Sequence, residues 1–260
     1  MRFPLRSLIL LCALAVFRPA EAAHNIRVAA AADLKFALDE LGMRYEKQSG
    51  SKIAVSYGSS GNFLAQIQNG APFDVFLSAD IEYPRKLEVA GLAEPGTLYE
   101  YASGRIVIWM PADTRVDLSK LGWRALLDPS IQKIAIGNPE HAPYGRAAVA
   151  ALRSAGIYEQ VRAKLVYGEN IAQAAQFVAS GNAQAGILAL SLAISPPMRE
   201  GKRWEIPANM HPPIEQAAVI LKSAKDKDGA RAFLIFLKSA EARKILESYG
   251  FSVPASAKSQ

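Results

Sequence analysis

Ser59 and Ser60 are the residues whose types and spacing first suggest chemistry. They sit in Gly58-Ser59-Ser60-Gly61, after the strand-like run Ile53 to Tyr57 and before a helical stripe of Phe63, Leu64 and Ile67 that stops at Gly70. Ser60 falls where the N-cap is expected. The first N–H groups of a helix lack internal partners and carry the positive end of its dipole, so a hydroxyl among them forms a site for a small anion. Taken alone, the turn reads as a plain helix cap. Repetition changes that reading, because an apolar strand, a small or polar turn and an amphipathic helix recur at Ala30 to Asp33, Asn138 to Gly145 and Tyr167 to Ile171. Such turns gathered at the carboxyl ends of parallel strands form the binding crevice of open α/β sheets.

Catalysis is the competing use of such residues. Gly58-Ser59-Ser60-Gly61 is not the G-x-S-x-G elbow, and the chain has neither a Walker A motif nor a G-x-G-x-x-G fingerprint. A base for a serine nucleophile would have to be His141 or His211, and no local signature supports a secreted Ser-His hydrolase. No H-x-x-x-H pair or carboxylate cluster has ligand spacing for a metal cation. Tyr144 and Tyr167 would suit ferric iron as phenolates, but loop tyrosines more often pack or hydrogen-bond. Asp33, taken alone, caps its own helix.

The elements that must position these residues follow from periodicity. Strands are expected at Ile26 to Ala31, Ile53 to Tyr57, Asp74 to Leu77, Arg105 to Met110, Lys133 to Ile136, Leu165 to Tyr167, Ala185 to Leu190 and Ala217 to Leu221. Helices alternate with them: one carries Leu34, Ala37, Leu38, Leu41 and Tyr45 on a single stripe, and another is expected over Arg146 to Ser154. Leu118 to Leu127 reads as a short helix, and the proline-rich, charged Pro196 to Pro213 as a surface excursion. This alternation predicts an α/β fold with mainly parallel sheets. At 260 residues and 50% apolar content the chain divides naturally into two cores. We place the first domain at 24–103 plus 216–260 and the second at 104–215.

Met1 to Ala23 has Arg2 and Arg6, the apolar run Leu8 to Phe17 and then Ala20-Glu21-Ala22, the pattern of a cleavable secretory signal peptide. An apolar run this short does not span roughly 30 Å of hydrocarbon. The single cysteine, Cys12, lies inside that segment, so the mature chain is expected to hold no thiol. The formal charge of +6 comes from basic residues scattered along the chain, which does not support nucleic-acid binding. A weak positive field does favour the encounter with anions.

Five segments, in order, resemble the periplasmic molybdate-binding proteins of ABC uptake systems: AAADLKFALDEL (Ala30 to Leu41), GSSGNFLAQIQNGAPFDVFLSAD (Gly58 to Asp80), IGNPEHAPYG (Ile136 to Gly145), ENIAQA (Glu169 to Ala174) and YGFSVP (Tyr249 to Pro254). The resemblance covers essentially the whole mature length. It implies a type II periplasmic binding protein fold, two α/β domains joined by crossover strands and closing on a tetrahedral oxyanion. It implies molybdate or tungstate as the ligand, no cofactor, a membrane permease as the partner, a periplasmic location and a monomer. The family's site positions fall on Ala32, Asp33, Ser59, Ser60, Tyr144 and Ile171. Some members carry a ligand tyrosine in a G-I-V-Y strand; here Ile187-Leu188-Ala189 stands instead, and Tyr144 is expected to supply the phenol.

A doubly charged oxyanion can be bound by neutral N–H, hydroxyl and phenol donors converging on its oxygens in a desolvated cleft. Asp33 departs from that pattern, since the family usually has Ser, Thr or Asn there. Its backbone N–H, with that of Ala32, is expected to face the anion while the carboxylate turns aside to cap its helix or meet Lys35. The competing expectation is a protonated Asp33 that donates its O–H. Asp33 also leaves open a receptor for another oxyanion or for a metal cation.

Overall fold

The computed structural model describes residues 24–254, so the signal peptide read over residues 1–23, with Cys12, lies outside the described part. β1 (Asn25–Ala31) passes through a 3-10 turn (Ala32–Leu34) into α1 (Lys35–Ser49), β2 (Lys52–Gly58) into α2 (Ser60–Gln68), and β3 (Val75–Ser78) into α3 (Glu82–Val89). β4 (Tyr99–Gly104) and β5 (Ile106–Met110) follow almost end to end. The middle of the chain holds α4 (Leu118–Leu121), β6 (Ile134–Gly137), α5 (Pro143–Ser154), α6 (Tyr158–Val161), β7 (Leu165–Gly168), α7 (Ile171–Ala179), β8 (Ala185–Ala189), α8 (Leu190–Ala193) and β9 (Lys202–Glu205). The return consists of β10 (Ile214–Ile220), α9 (Lys227–Leu237) and α10 (Ala240–Ser248).

The strands form two five-stranded sheets, ordered β2-β1-β3-β10-β4 and β7-β6-β8-β5-β9. β1 pairs in parallel with β2 and β3, and β6 with β7 and β8. β10 and β5 are each antiparallel to both neighbours, so in each sheet four strands run one way and one opposes them. The molecule is thus two α/β domains with mixed, mostly parallel sheets. VFLS in β3, IAIG in β6 and AGILA in β8 are buried along their whole length, as expected for strands covered on both faces. The stripe of Ala37, Leu38, Leu41 and Tyr45 on α1 is buried, and Tyr45 meets Phe233 of α9 edge-on at 5.3 Å.

Three expectations are revised by tertiary contacts. Pro196 to Pro213 is not only a surface excursion: β9 lies within it, pairing with β5 from Val107↔Glu205 to Met110↔Lys202. Its polar KRWE pattern suits an edge strand, and Met198 and Ile206 on either side are buried. Leu118 to Leu127 divides into α4 and a 3-10 run beginning at Gly122, whose φ is 51°. α5 begins at Pro143 rather than Arg146, because a proline at the first helical position gives up an N–H the helix does not use.

Candidate functional site

The four strand-to-helix turns meet at one small cavity. Ala32 and Asp33 follow β1, Ser59 and Ser60 follow β2, Tyr144 starts α5 after β6, and Ile171 starts α7 after β7; all six line it. The cavity is tight, with a volume of about 10 Å³. That is about the room one water molecule needs, far below the roughly 300–1,000 Å³ of sites for drug-sized ligands. A wider groove, with Lys35, Phe36 and Tyr57 on one side and Gln173, Gln176 and Met198 on the other, joins it at Ala32.

The donors follow from helix geometry. Ser59, not Ser60, is the N-cap of α2, and its Oγ accepts from Asn62 N–H at 3.4 Å. Ser60 is the first helical residue, fully buried, and its Oγ accepts from Ala79 N–H at 2.9 Å at the end of β3. That contact leaves the Ser60 hydroxyl proton to be donated. The cap falls one residue earlier than expected because Ser59 has the extended backbone of a cap while Ser60 is already helical. At α7, Asn170 Oδ1 caps Gln173 N–H at 3.0 Å, so Ile171 N–H opens the helix. In α5, Pro143 has no N–H and Tyr144 follows. The N–H groups of Ser60, Tyr144 and Ile171 therefore stand in first helical turns, where the helix supplies no acceptor.

Asp33 is placed otherwise than expected. Its side chain makes no capping bond, and Lys35 pairs with Asp39 at 3.2 Å instead. The carboxylate is buried, 1% exposed, and its Oδ2 accepts from Tyr144 Oη at 2.8 Å and from Gln216 Nε2 at 2.6 Å. Tyr144 Oη also accepts from Gln216 Nε2 at 2.9 Å, and Gln216 Oε1 accepts from Tyr101 Oη at 2.8 Å. Oδ1 of Asp33 is buried without a hydrogen-bond partner. Burial pushes the Asp33 carboxyl up to about 6, opposed by the Gln216 amide, the Tyr144 phenol and its own backbone N–H. Burial likewise holds the Tyr101 and Tyr144 phenols well above their ordinary value, reinforced by the Asp33 charge. Tyr144 thus gives its one phenolic proton to Asp33 rather than keeping it free for the cavity. A buried carboxylate without a cation is the stronger acceptor.

This network joins the two domains. Asp33 follows β1 and Gln216 lies on β10 of the first sheet, whereas Tyr144 starts a helix of the second. A bulge between Gln216 and Ala217 interrupts the pairing of β10 with β4 beside it. A Cβ on Gly104 would lie 2.1 Å from Tyr144 Oη, so only glycine lets the phenol and amide meet there. Ser191 Oγ of α8 donates to Asp33 O at 2.8 Å, Gly61 N–H to His141 O at 3.0 Å, and His141 Nδ1 lies 2.9 Å from Ser59 Oγ. Arg146 of α5 reaches Asp80 and donates to Tyr83 Oη at 2.8 Å.

Sequence reasoning did not find Gln216, Tyr101 or Ser191 as partners of the site; the one signal was an amide inside the apolar run IEQAAVI. Tyr167, weighed as an iron ligand, is 48% exposed and does not line the cavity. Among the described residues, no group of three or more His, Cys, Asp and Glu is placed to hold a metal ion.

Two domains of this kind, closing on one small cavity of helix-terminal donors, are the build of a solute receptor, and the sequence comparisons agree. The sequence model of the bacterial extracellular solute-binding proteins matches residues 26–252, and the chain belongs to that family. It is 38% identical over 254 residues to the molybdate-binding protein ModA of Azotobacter vinelandii, a match covering 97% of this chain and 100% of the relative. It is 39% identical over 230 residues to ModA of Rhodobacter capsulatus, covering 88% and 89% of the two chains. The solved structure of the Azotobacter vinelandii periplasmic molybdate-binding protein superposes with a TM-score of 0.82 at 36% identity, covering 88% of this chain and 99% of that one. These relatives are binding proteins and not enzymes, which sets the hydrolase reading aside.

Proposed function

We propose that the chain captures molybdate, and tungstate with it, between its two domains in the periplasm and delivers it as a monomer to the permease of an ABC importer. The observation that carries this reading is the meeting of Ala32, Asp33, Ser59, Ser60, Tyr144 and Ile171 around one small cavity. The names of the relatives supply the ligand class. The anion would be held without a cofactor by the Ser60 hydroxyl and by the N–H groups at the starts of α2, α5, α7 and the 3-10 turn. Hydrogen bonds to a charged acceptor contribute roughly 1.5–3 kcal/mol each net of exchange with water, so several together would give tight binding. Cavity size would then separate molybdate from the smaller sulfate.

Isothermal titration of the mature protein with molybdate, tungstate, sulfate and phosphate tests this directly. Molybdate and tungstate are expected to bind far more tightly than the other two, and tighter binding of sulfate would overturn the assignment. Ligand that binds between the domains stabilises their closed arrangement, so the melting temperature should rise with molybdate concentration.

A further inference from the structure

We infer that this site takes up a proton together with its oxyanion, held between Asp33 Oδ1 and an oxygen of the ligand, so that Asp33 selects oxyanions basic enough to share a proton. The inference rests on the oxyanion reading above and names what that reading leaves unexplained: an acidic side chain in the wall of an anion cavity. Asp33 lines the cavity, its Oδ2 is saturated by Tyr144 and Gln216, and its Oδ1 is buried with no partner.

Among the described residues no charged group pairs with it. The elements packed against Asp33 bring Gln216 from β10, Tyr144 from α5, Ser191 from α8 and, through Gln216, Tyr101 from β4. The amide and serine are neutral, and both phenols are held well above their ordinary value. Among the described residues Asp33 forms no ion pair, Lys35 is engaged by Asp39 and Arg146 by Asp80. His141, on the loop before α5, is directed at Ser59 and Glu169.

An ionised carboxylate and a dianion in one cavity of low dielectric repel strongly. One proton between them turns that repulsion into a charge-assisted hydrogen bond and gives Oδ1 its missing partner. Burial has already raised this carboxyl to about 6 before any anion arrives. A bound anion moves it further the same way, because a like charge disfavours ionisation. The proton comes from solvent on binding and returns to solvent on release. Molybdate, tungstate and phosphate are conjugates of weak acids and share a proton readily, whereas sulfate is a much weaker base. Selection by basicity would therefore act alongside selection by size.

Calorimetry of the mature protein with micromolar molybdate, at about pH 6 and about pH 8 in buffers of differing ionisation enthalpy, tests the inference. The expected result is greater proton uptake at about pH 8, close to one per anion, than at about pH 6, and an affinity that falls towards tenfold per pH unit above pH 6. Asp33→Asn should bind molybdate with little proton uptake and little pH dependence. Tight binding by the wild type with no proton uptake and a flat pH profile would overturn the inference and leave the oxyanion reading standing. Proton uptake that persists in Asp33→Asn would assign it to another group and overturn it equally. Failure of molybdate to bind at either pH would bring down both readings.

Discussion

Asp33, Tyr144 and Gln216 join the two domains in a fully buried cluster with no counter-charge, whereas Arg146 and Asp80 join them as an ion pair with side chains 39% and 24% exposed. The exposed bridge is screened by solvent, held to Tyr83 by a hydrogen bond and by the guanidinium lying 5.4 Å from its ring centre. The buried bridge is little screened by solvent, so its energy depends on how many protons and donors it contains. Two contacts spanning the same cleft therefore answer to different variables: pH governs the inner one and ionic strength the outer one.

Gly104→Ala is the harshest break of the inner bridge, since its Cβ would stand 2.1 Å from Tyr144 Oη and 2.9 Å from Gln216 Nε2. A loss of about 3 kcal/mol in unfolding free energy is expected by urea denaturation, the upper end of ordinary overpacking. A loss within error would show that the phenol and amide yield freely.

Asp33→Asn sharpens the comparison from the opposite direction. The folded protein raises this carboxyl from 3.8 to about 6, so its favourable contribution is complete below pH 3.8 and is lost as pH rises through 6. Above that the ionised group costs up to about 3 kcal/mol. The substitution should raise the stability of the unliganded protein near pH 7.5 by somewhat less than that, allowing for an unpartnered amide, and change little near pH 4. An equal effect at both pH values would remove the carboxylate charge as its cause.

Ser60→Ala tests the cavity beside that bridge. Losing one hydrogen bond to a charged ligand should weaken molybdate binding by roughly 1.5–3 kcal/mol by titration, while Ala79 N–H loses its acceptor in the free protein. Unchanged affinity would place the anion away from α2. The smallest effect belongs to the outer bridge: Arg146→Met should reduce molybdate affinity by no more than about 1 kcal/mol, and 0.5 M salt should erase the difference. An undiminished effect in high salt would mean that the pair is shielded far more than its exposure implies.

The residues legible in the sequence are those whose signal is local. A strand, a small-residue turn and an amphipathic helix announce themselves within a dozen positions, and Ala32, Asp33, Ser59, Ser60, Tyr144 and Ile171 each stand at such a junction. Partners were less legible than positions. Local reasoning offered Asp33 a cap or Lys35, both close in the chain, but burial favoured Gln216 at a separation of 183 residues and Tyr144 at 111. Only the sheet order, which lays β10 beside β3 and so near the end of β1, brings that amide in. The cap fell on Ser59 rather than Ser60, and the partner of the Ser60 hydroxyl, Ala79, was hidden because it belongs to the neighbouring strand end. β9 was hidden by composition, since a polar edge strand between prolines carries little hydrophobic periodicity.

The sheet order also sets the sequence of events when the chain first folds. The second sheet is drawn from one uninterrupted stretch, β5 to β9, and is complete once residue 205 is available. The first sheet must wait for β10, which joins Ser78 to Ala217 and Gly104 to Ile214. Pairings that distant close slowly, because the entropy of a long loop is lost before any contact rewards it. Until they form, the apolar edge of β3 is open and β4 has no neighbour in its sheet, the state in which the nascent chain is most exposed to aggregation.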